Sequence, residues 1–174
     1  MIPQDAPKPA SIRHFSDSLP MLLLRAREAV MLRFRAMLRR QGLTEQQWRV
    51  LRALATEDAF EIPDLVASTF LLAPSLSRIL ADLRQGGLIS VEAPAADQRR
   101  RIVRLTPDGA RRIAEIGPLS EEIYAEITAR IGAARLGEIQ TLLRDMEDAL
   151  RPEADIRPEP KGPARQRRRK HLTR

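Results

Sequence analysis

The sequence predicts a mainly α fold carrying one small β-hairpin. Three observations lead there. Apolar residues recur at helical spacing through most of 16–150; two short segments, 88–92 and 101–105, instead alternate apolar with polar side chains; and the stretch between those two is polar and rich in turn formers. Hydrophobic residues make up 43% of the chain but aromatic ones only 3%, so Leu, Ile, Val and Ala must fill the core.

The elements follow in order. Residues 1–10 are Pro-rich, and 1–15 reads as a partly disordered amino-terminal arm. Helical spacing over 16–41 links Leu19, Leu22, Leu23, Ala26, Val30, Phe34, Met37 and Leu38, with Pro20 in the first turn, where its missing N–H costs little, and Gly42 as the stop. In LTEQQW, Thr44 caps a second helix, Gln47 completes a capping box, and Leu43 and Trp48 occupy the flanking staple positions. That helix continues through Val50, Leu51 and Leu54. A short third helix covers 63–69, and Phe70, Leu71 and Leu72 make a tight apolar turn. Pro74 opens a fourth helix whose inward stripe is Leu76, Ile79, Leu80 and Leu83, stopped at Gly86-Gly87. After the two strands, Thr106-Pro107 starts a fifth helix reaching about 131, with a bend or break expected at Gly117-Pro118. A sixth helix covers 134–150, and a basic tail without fold follows from 151.

Charge and composition narrow the function. The net charge is +7, but nine of the 30 basic side chains and only three of the 23 acidic ones fall in 151–174, so the excess belongs mostly to the tail. The folded part is judged by where its charges sit. Cysteine is absent, which excludes disulfides, thiolate metal sites and thiol sensors. No apolar run is long enough to span a membrane, and the amino terminus lacks an apolar signal core. The only histidines are His14 and His171; no Ser-His-Asp set, His-rich metal site or Gly-rich phosphate loop is visible, so the reading is of a non-enzyme with no cofactor.

A short helix, a tight turn, a second helix and a hairpin make a winged helix-turn-helix, whose second helix enters the DNA major groove while the hairpin tip reaches the backbone or the adjacent minor groove. With its stripe inward, the fourth helix presents Pro74, Ser75, Ser77 and Arg78 near its amino end. There the helix dipole favours phosphate, and Arg78 can pair with phosphate or with guanine. The hairpin tip carries Asp97, Arg99, Arg100 and Arg101; an Arg suits a narrow minor groove, and Asp97 can pair with a neighbouring Arg and hold its guanidinium. The plain alternatives are a solvated helix face and a charged surface turn.

The segments LTEQQWRVLRALA, APSLSRILADLRQGGLI and AADQRRRIVRLTPDG resemble the MarR family, with Asp97, Arg99, Leu105 and Thr106 at its wing signature. The likeness spans about 16–150, and LPMLLLRARE with LTEQQWRVLRAL is most similar to repressors of homoprotocatechuate and other aromatic-acid catabolism. One departure is Leu72, which stands where the family commonly caps the recognition helix with Ser or Thr, a loss of about 1 kcal/mol. The resemblance implies a bacterial cytoplasmic, nucleoid-associated homodimer on a pseudo-palindromic operator in double-stranded DNA. It divides the chain into a dimerisation helix at 16–42, a winged lobe at 43–106 and further dimerisation helices at 107–150. The apolar stripes of the last two helices (Ile116, Leu119, Ile123, Ile127 and Ile131; Leu136, Ile139, Leu142, Leu143, Met146 and Leu150) agree with it; packing within one chain is the other reading.

Family likeness also implies a small aromatic-acid effector. Arg13, His14, Leu23, Arg27, Trp48 and Arg49 are the candidate lining, because a carboxylate or phenolate suits Arg or His and a ring suits Leu and Trp walls. Each also has an ordinary role, Trp48 as a core staple and Arg27 on a solvated face. The functions left to weigh are an effector-released repressor, a constitutive or architectural DNA binder, and a protein-binding module on the same fold. The tail motif RQRRRK either adds salt-dependent DNA attraction or simply solvates the terminus.

Overall fold

The computed structural model describes residues 14–95, 97 and 99–151. The expected basic tail beyond 151 and the arm at 1–13, with Arg13, lie outside the described residues.

Helix α1, Leu19–Arg40, starts later than the spacing predicts, because Phe15–Asp17 form a separate 3-10 turn closed by the Ser18 hydroxyl donating to the Phe15 carbonyl at 2.8 Å. Only its carboxyl half is buried, through Phe34, Met37 and Leu38. Helix α2, Glu45–Leu54, opens on the expected capping box: Thr44 Oγ1 accepts from the Gln47 N–H at 3.1 Å, and Gln47 Oε1 accepts from the Thr44 N–H at 2.9 Å. Leu43 and Trp48 are both buried beside it.

A strand that the sequence does not announce, β1 (Phe60–Glu61), runs directly into α3 (Ile62–Thr69). The chain turns through 108° between α3 and α4 (Ala73–Gln85), within the usual range for a helix-turn-helix. The four residues expected on the inner stripe of α4 are its buried residues. Gly87, at φ 71°, adopts the left-handed conformation that lets the Leu88 N–H reach back to the Leu83 carbonyl at 2.9 Å, which ends the helix and aims the chain into the sheet.

Strands β2 (Ile89–Glu92) and β3 (Ile102–Leu105) form the hairpin, and β1 adds to its free side, giving the antiparallel order β1-β3-β2. Val103 sits at the centre, opposite both Phe60 and Val91, and is fully buried. Thr106 joins hairpin to helix. Its hydroxyl accepts from the Gly109 N–H at 3.0 Å and donates to the Gly87 carbonyl at 2.6 Å. A Cβ on Gly109 would fall 2.0 Å from the Leu88 carbonyl oxygen, so only glycine fits there.

Helix α5, Pro107–Ile131, continues through Gly117-Pro118, so of the expected bend or break there is no break. An internal proline costs about 3 kcal/mol. Here it is flanked by Ile116 and Ser120, both buried, so packing on either side holds the helix together. The α5 stripe is also more inward than expected: Ile116 is core, and Leu119, Ile123 and Ile127 pack against the core. Helix α6, Ala133–Leu150, contributes no buried residue. Among the described residues no single helix is long and apolar enough to cross a membrane.

Candidate nucleic-acid interface

The amino end of α4 is built without a side-chain cap. Leu72 holds the capping position with extended backbone, and its carbonyl accepts the Leu76 N–H at 2.9 Å. Pro74, Ser77 and Arg78 are exposed there, whereas Ser75 is half-buried. The Ser77 hydroxyl donates to the Ala73 carbonyl at 3.0 Å, which leaves its lone pairs to accept. Among the described residues the Arg78 guanidinium has no hydrogen-bond or ion-pair partner, so an exposed, unpaired cation stands in the second turn of the helix.

The three arginines of the hairpin tip have three different fates. Arg99 is exposed, and its guanidinium has no partner among the described residues. Arg100 forms an ion pair with Glu61 of β1, which raises its pKa first through the hydrogen bond and then through charge attraction. Arg101 Nη1 donates to the Arg100 carbonyl at 2.9 Å. Asp97 also departs from expectation. Its carboxylate takes the backbone N–H of Arg99 at 2.9 Å instead of a guanidinium, and its carbonyl takes the Arg100 N–H at 3.3 Å. Asp97 therefore shapes the main chain that carries Arg99, and the Arg99 guanidinium has no ion-pair partner among the described residues.

On the other side of α2 the cations are neutralised. Glu45 accepts Arg49 at 2.9 Å and Arg35 at 3.1 Å and pairs with Arg27 as well. Glu28 adds bonds to Arg35 at 2.7 Å and Arg27 at 2.8 Å. The Arg35 hydrogen bond is the main reason that the Glu28 carboxyl titrates below the usual glutamate range. Arg49 also donates to the Thr69 carbonyl at 3.1 Å, which ties α2 to the last turn of α3.

Comparison with known proteins places this geometry. The family model described as MarR family matches residues 41–100, from the end of α1 to the hairpin tip. The HTH-type transcriptional regulator FarR of Neisseria gonorrhoeae is 36% identical over 145 residues, covering 82% of this chain and 98% of that protein. The chain belongs to the MarR family of transcriptional regulators. The homoprotocatechuate degradative operon repressor of Escherichia coli is 37% identical over 129 residues, covering 74% of this chain and 87% of that one. The crystal structure of NadR in complex with 4-hydroxyphenylacetate superposes with a TM-score of 0.68 at 34% identity, covering 80% of this chain and 97% of NadR.

Of the residues expected to receive an effector in this MarR-family regulator, Arg27 and Arg49 do converge, but on Glu45. Trp48 is a core residue, Leu23 is half-buried, and His14 is exposed with its Nδ1 2.7 Å from the Ser16 hydroxyl oxygen. A different pair meets between α2 and α5: Arg52 Nη1 donates to the Tyr124 phenol oxygen at 3.2 Å, and the Tyr124 ring lies edge-on to Phe34 at 5.1 Å. The sequence signals half of this, since Arg52 stands one helical turn beyond Trp48. Its partner is 72 residues away, and no local spacing finds it.

Proposed function

We propose that this regulator binds double-stranded, pseudo-palindromic DNA as a homodimer, with α4 in the major groove and Arg99 at the adjacent minor groove, and that it represses transcription until a small aromatic acid releases it. The observation that carries the DNA reading is the pair of exposed cations, Arg78 and Arg99, without ion-pair partners among the described residues, on the two parts of a winged helix-turn-helix that reach DNA. The half-buried Ser75 has a smaller share in that surface, and Arg100, engaged by Glu61, and Arg101 add to it at the hairpin tip. The reading assigns no catalytic step to the chain.

The dimer is supported by apolar side chains that one chain leaves in water: Leu22 and Leu32 on α1, and Ile139, Leu142 and Leu150 on α6. A helix with no buried residue packs within one chain too weakly to account for its stripe, which favours a second copy over intramolecular packing.

The effector reading is supported by the relatives: a repressor of a homoprotocatechuate operon and a structure holding 4-hydroxyphenylacetate. Arg52 and Tyr124 suit the polar ends of such a molecule better than Arg27 or Arg49 do. The guanidinium of Arg52 bonds a phenol oxygen, while theirs bond carboxylates. Neutralisation of Arg27 and Arg49 is also the observation that favours a constitutive binder.

The deciding experiment is fluorescence anisotropy with a duplex selected from a random pool and with an unselected duplex, at two salt concentrations, with and without 4-hydroxyphenylacetate. Preference for the selected duplex that persists at the higher salt supports the reading, and equal binding of both duplexes overturns it. Release by the acid, abolished in Arg52→Ala, supports the effector; undiminished binding leaves the constitutive alternative.

A further inference from the structure

The two most exposed large apolar side chains among the described residues are Phe70, at 79%, and Leu72, at 77%. Both belong to the three-residue connection between α3 and α4, on either side of the buried Leu71. Solubility and local stability both argue against this choice. Leu72 gives up the capping hydrogen bond that Ser, Thr, Asp or Asn would make at that position, and Phe70, at φ 52°, is the one non-glycine described residue with positive φ. Of the two, Leu72 is the one contiguous with the DNA face: its backbone is extended, it is the residue from which α4 starts, and the exposed Pro74, Ser77 and Arg78 follow it directly.

We propose that Leu72 is a specificity-determining residue that packs on the C5-methyl group of a thymine in the major groove. The inference rests on the DNA-binding reading above and adds to it the identity of one base. In the major groove the thymine methyl is the one apolar group that distinguishes the base pairs, and it rewards an aliphatic side chain where a polar one would gain nothing. A branched aliphatic group held out from the amino end of the inserted helix has the chemistry for that contact, and the neighbouring Arg78 cation supplies the attraction that brings the apolar tip to the groove.

The test uses the full chain and the duplex selected from a random pool. Each thymine of that duplex is replaced in turn by deoxyuridine, which lacks only the methyl group. For the wild type, one thymine in each half-site should lose about fourfold in affinity on replacement, the worth of one buried methyl. Leu72→Ser should bind the thymine duplex correspondingly less tightly and show no further loss with deoxyuridine at that position. Leu72→Met should keep the discrimination. Leu72→Ser restores a capping side chain, so its melting temperature should not fall, and lost discrimination cannot be put down to unfolding.

Equal deoxyuridine effects in wild type and Leu72→Ser at every position would overturn the assignment. So would a Leu72→Ser variant with changed oligomeric mass and unchanged base discrimination, which would make the exposed leucine a protein contact. A random pool that yields no preferred duplex at all would bring down the DNA-binding reading itself, whereas a preferred duplex without this coupling brings down only the methyl contact.

Discussion

Arginine is put to opposite uses at the two ends of the helix-turn-helix lobe. At the α1–α2 junction, Arg27, Arg35 and Arg49 are drawn onto Glu28 and Glu45, so that three cations and two carboxylates form one largely neutral knot. At the amino end of α4 and the hairpin tip, Arg78 and Arg99 are exposed, and among the described residues their guanidiniums have no ion-pair partner. Counting basic residues cannot tell these regions apart; counting the ion pairs they form does. The first arrangement fixes helices to each other, and the second leaves a field that a phosphate backbone can enter.

This contrast can be broken most directly at Arg99. Arg99→Ala should lower affinity for the selected duplex by about tenfold or more per half-site, with an unchanged melting temperature and a salt slope shallower by about 0.9 per lost contact. Arg100→Ala should cost less affinity, because Glu61 already engages that side chain; a loss equal to that of Arg99→Ala in the same titration would erase the distinction drawn within the tip. The knot should respond in stability instead. Glu45→Gln removes the carboxylate shared by three arginines and should cost about 1–3 kcal/mol in urea unfolding, with the affinity of the folded protein for DNA largely retained.

The smallest effect belongs to Glu28 and appears only with pH. Its folded pKa lies below the usual range, so the stability it contributes is complete above the unfolded value and is lost as pH falls through the folded one. Between about pH 5 and pH 3 the melting temperature of the wild type should fall more steeply than that of Glu28→Gln. Parallel curves would mean that the pair with Arg35 is without thermodynamic weight.

What the sequence revealed was local. The Thr44–Gln47 box, the α4 stripe and the existence of both hairpin strands depend on neighbours within one or two turns, and each is found in the structure. The misses are of two kinds. Phe60–Glu61 is too short to show a period, and it becomes a strand only because β3 offers a free edge. Pro118 is a breaker by local rules, yet burial on both sides of it overrides the rule. At the candidate site the residue types at the α4 end and the tip were legible, but their partners were not. The Arg100–Glu61 pair spans 39 residues and Arg52–Tyr124 spans 72, and tertiary approach alone decides such pairings.

The seam at Gly109 bears on how a signal would travel. With no side chain there, the first turn of α5 lies flush against the Leu88 backbone, and the Thr106 hydroxyl pins both sides of the seam. Such a joint leaves no room for a side chain between the root of the hairpin and the head of α5. The long helix and the arginine-tipped hairpin thus share one root, and a tilt of α5 is expected to carry the base of the hairpin with it.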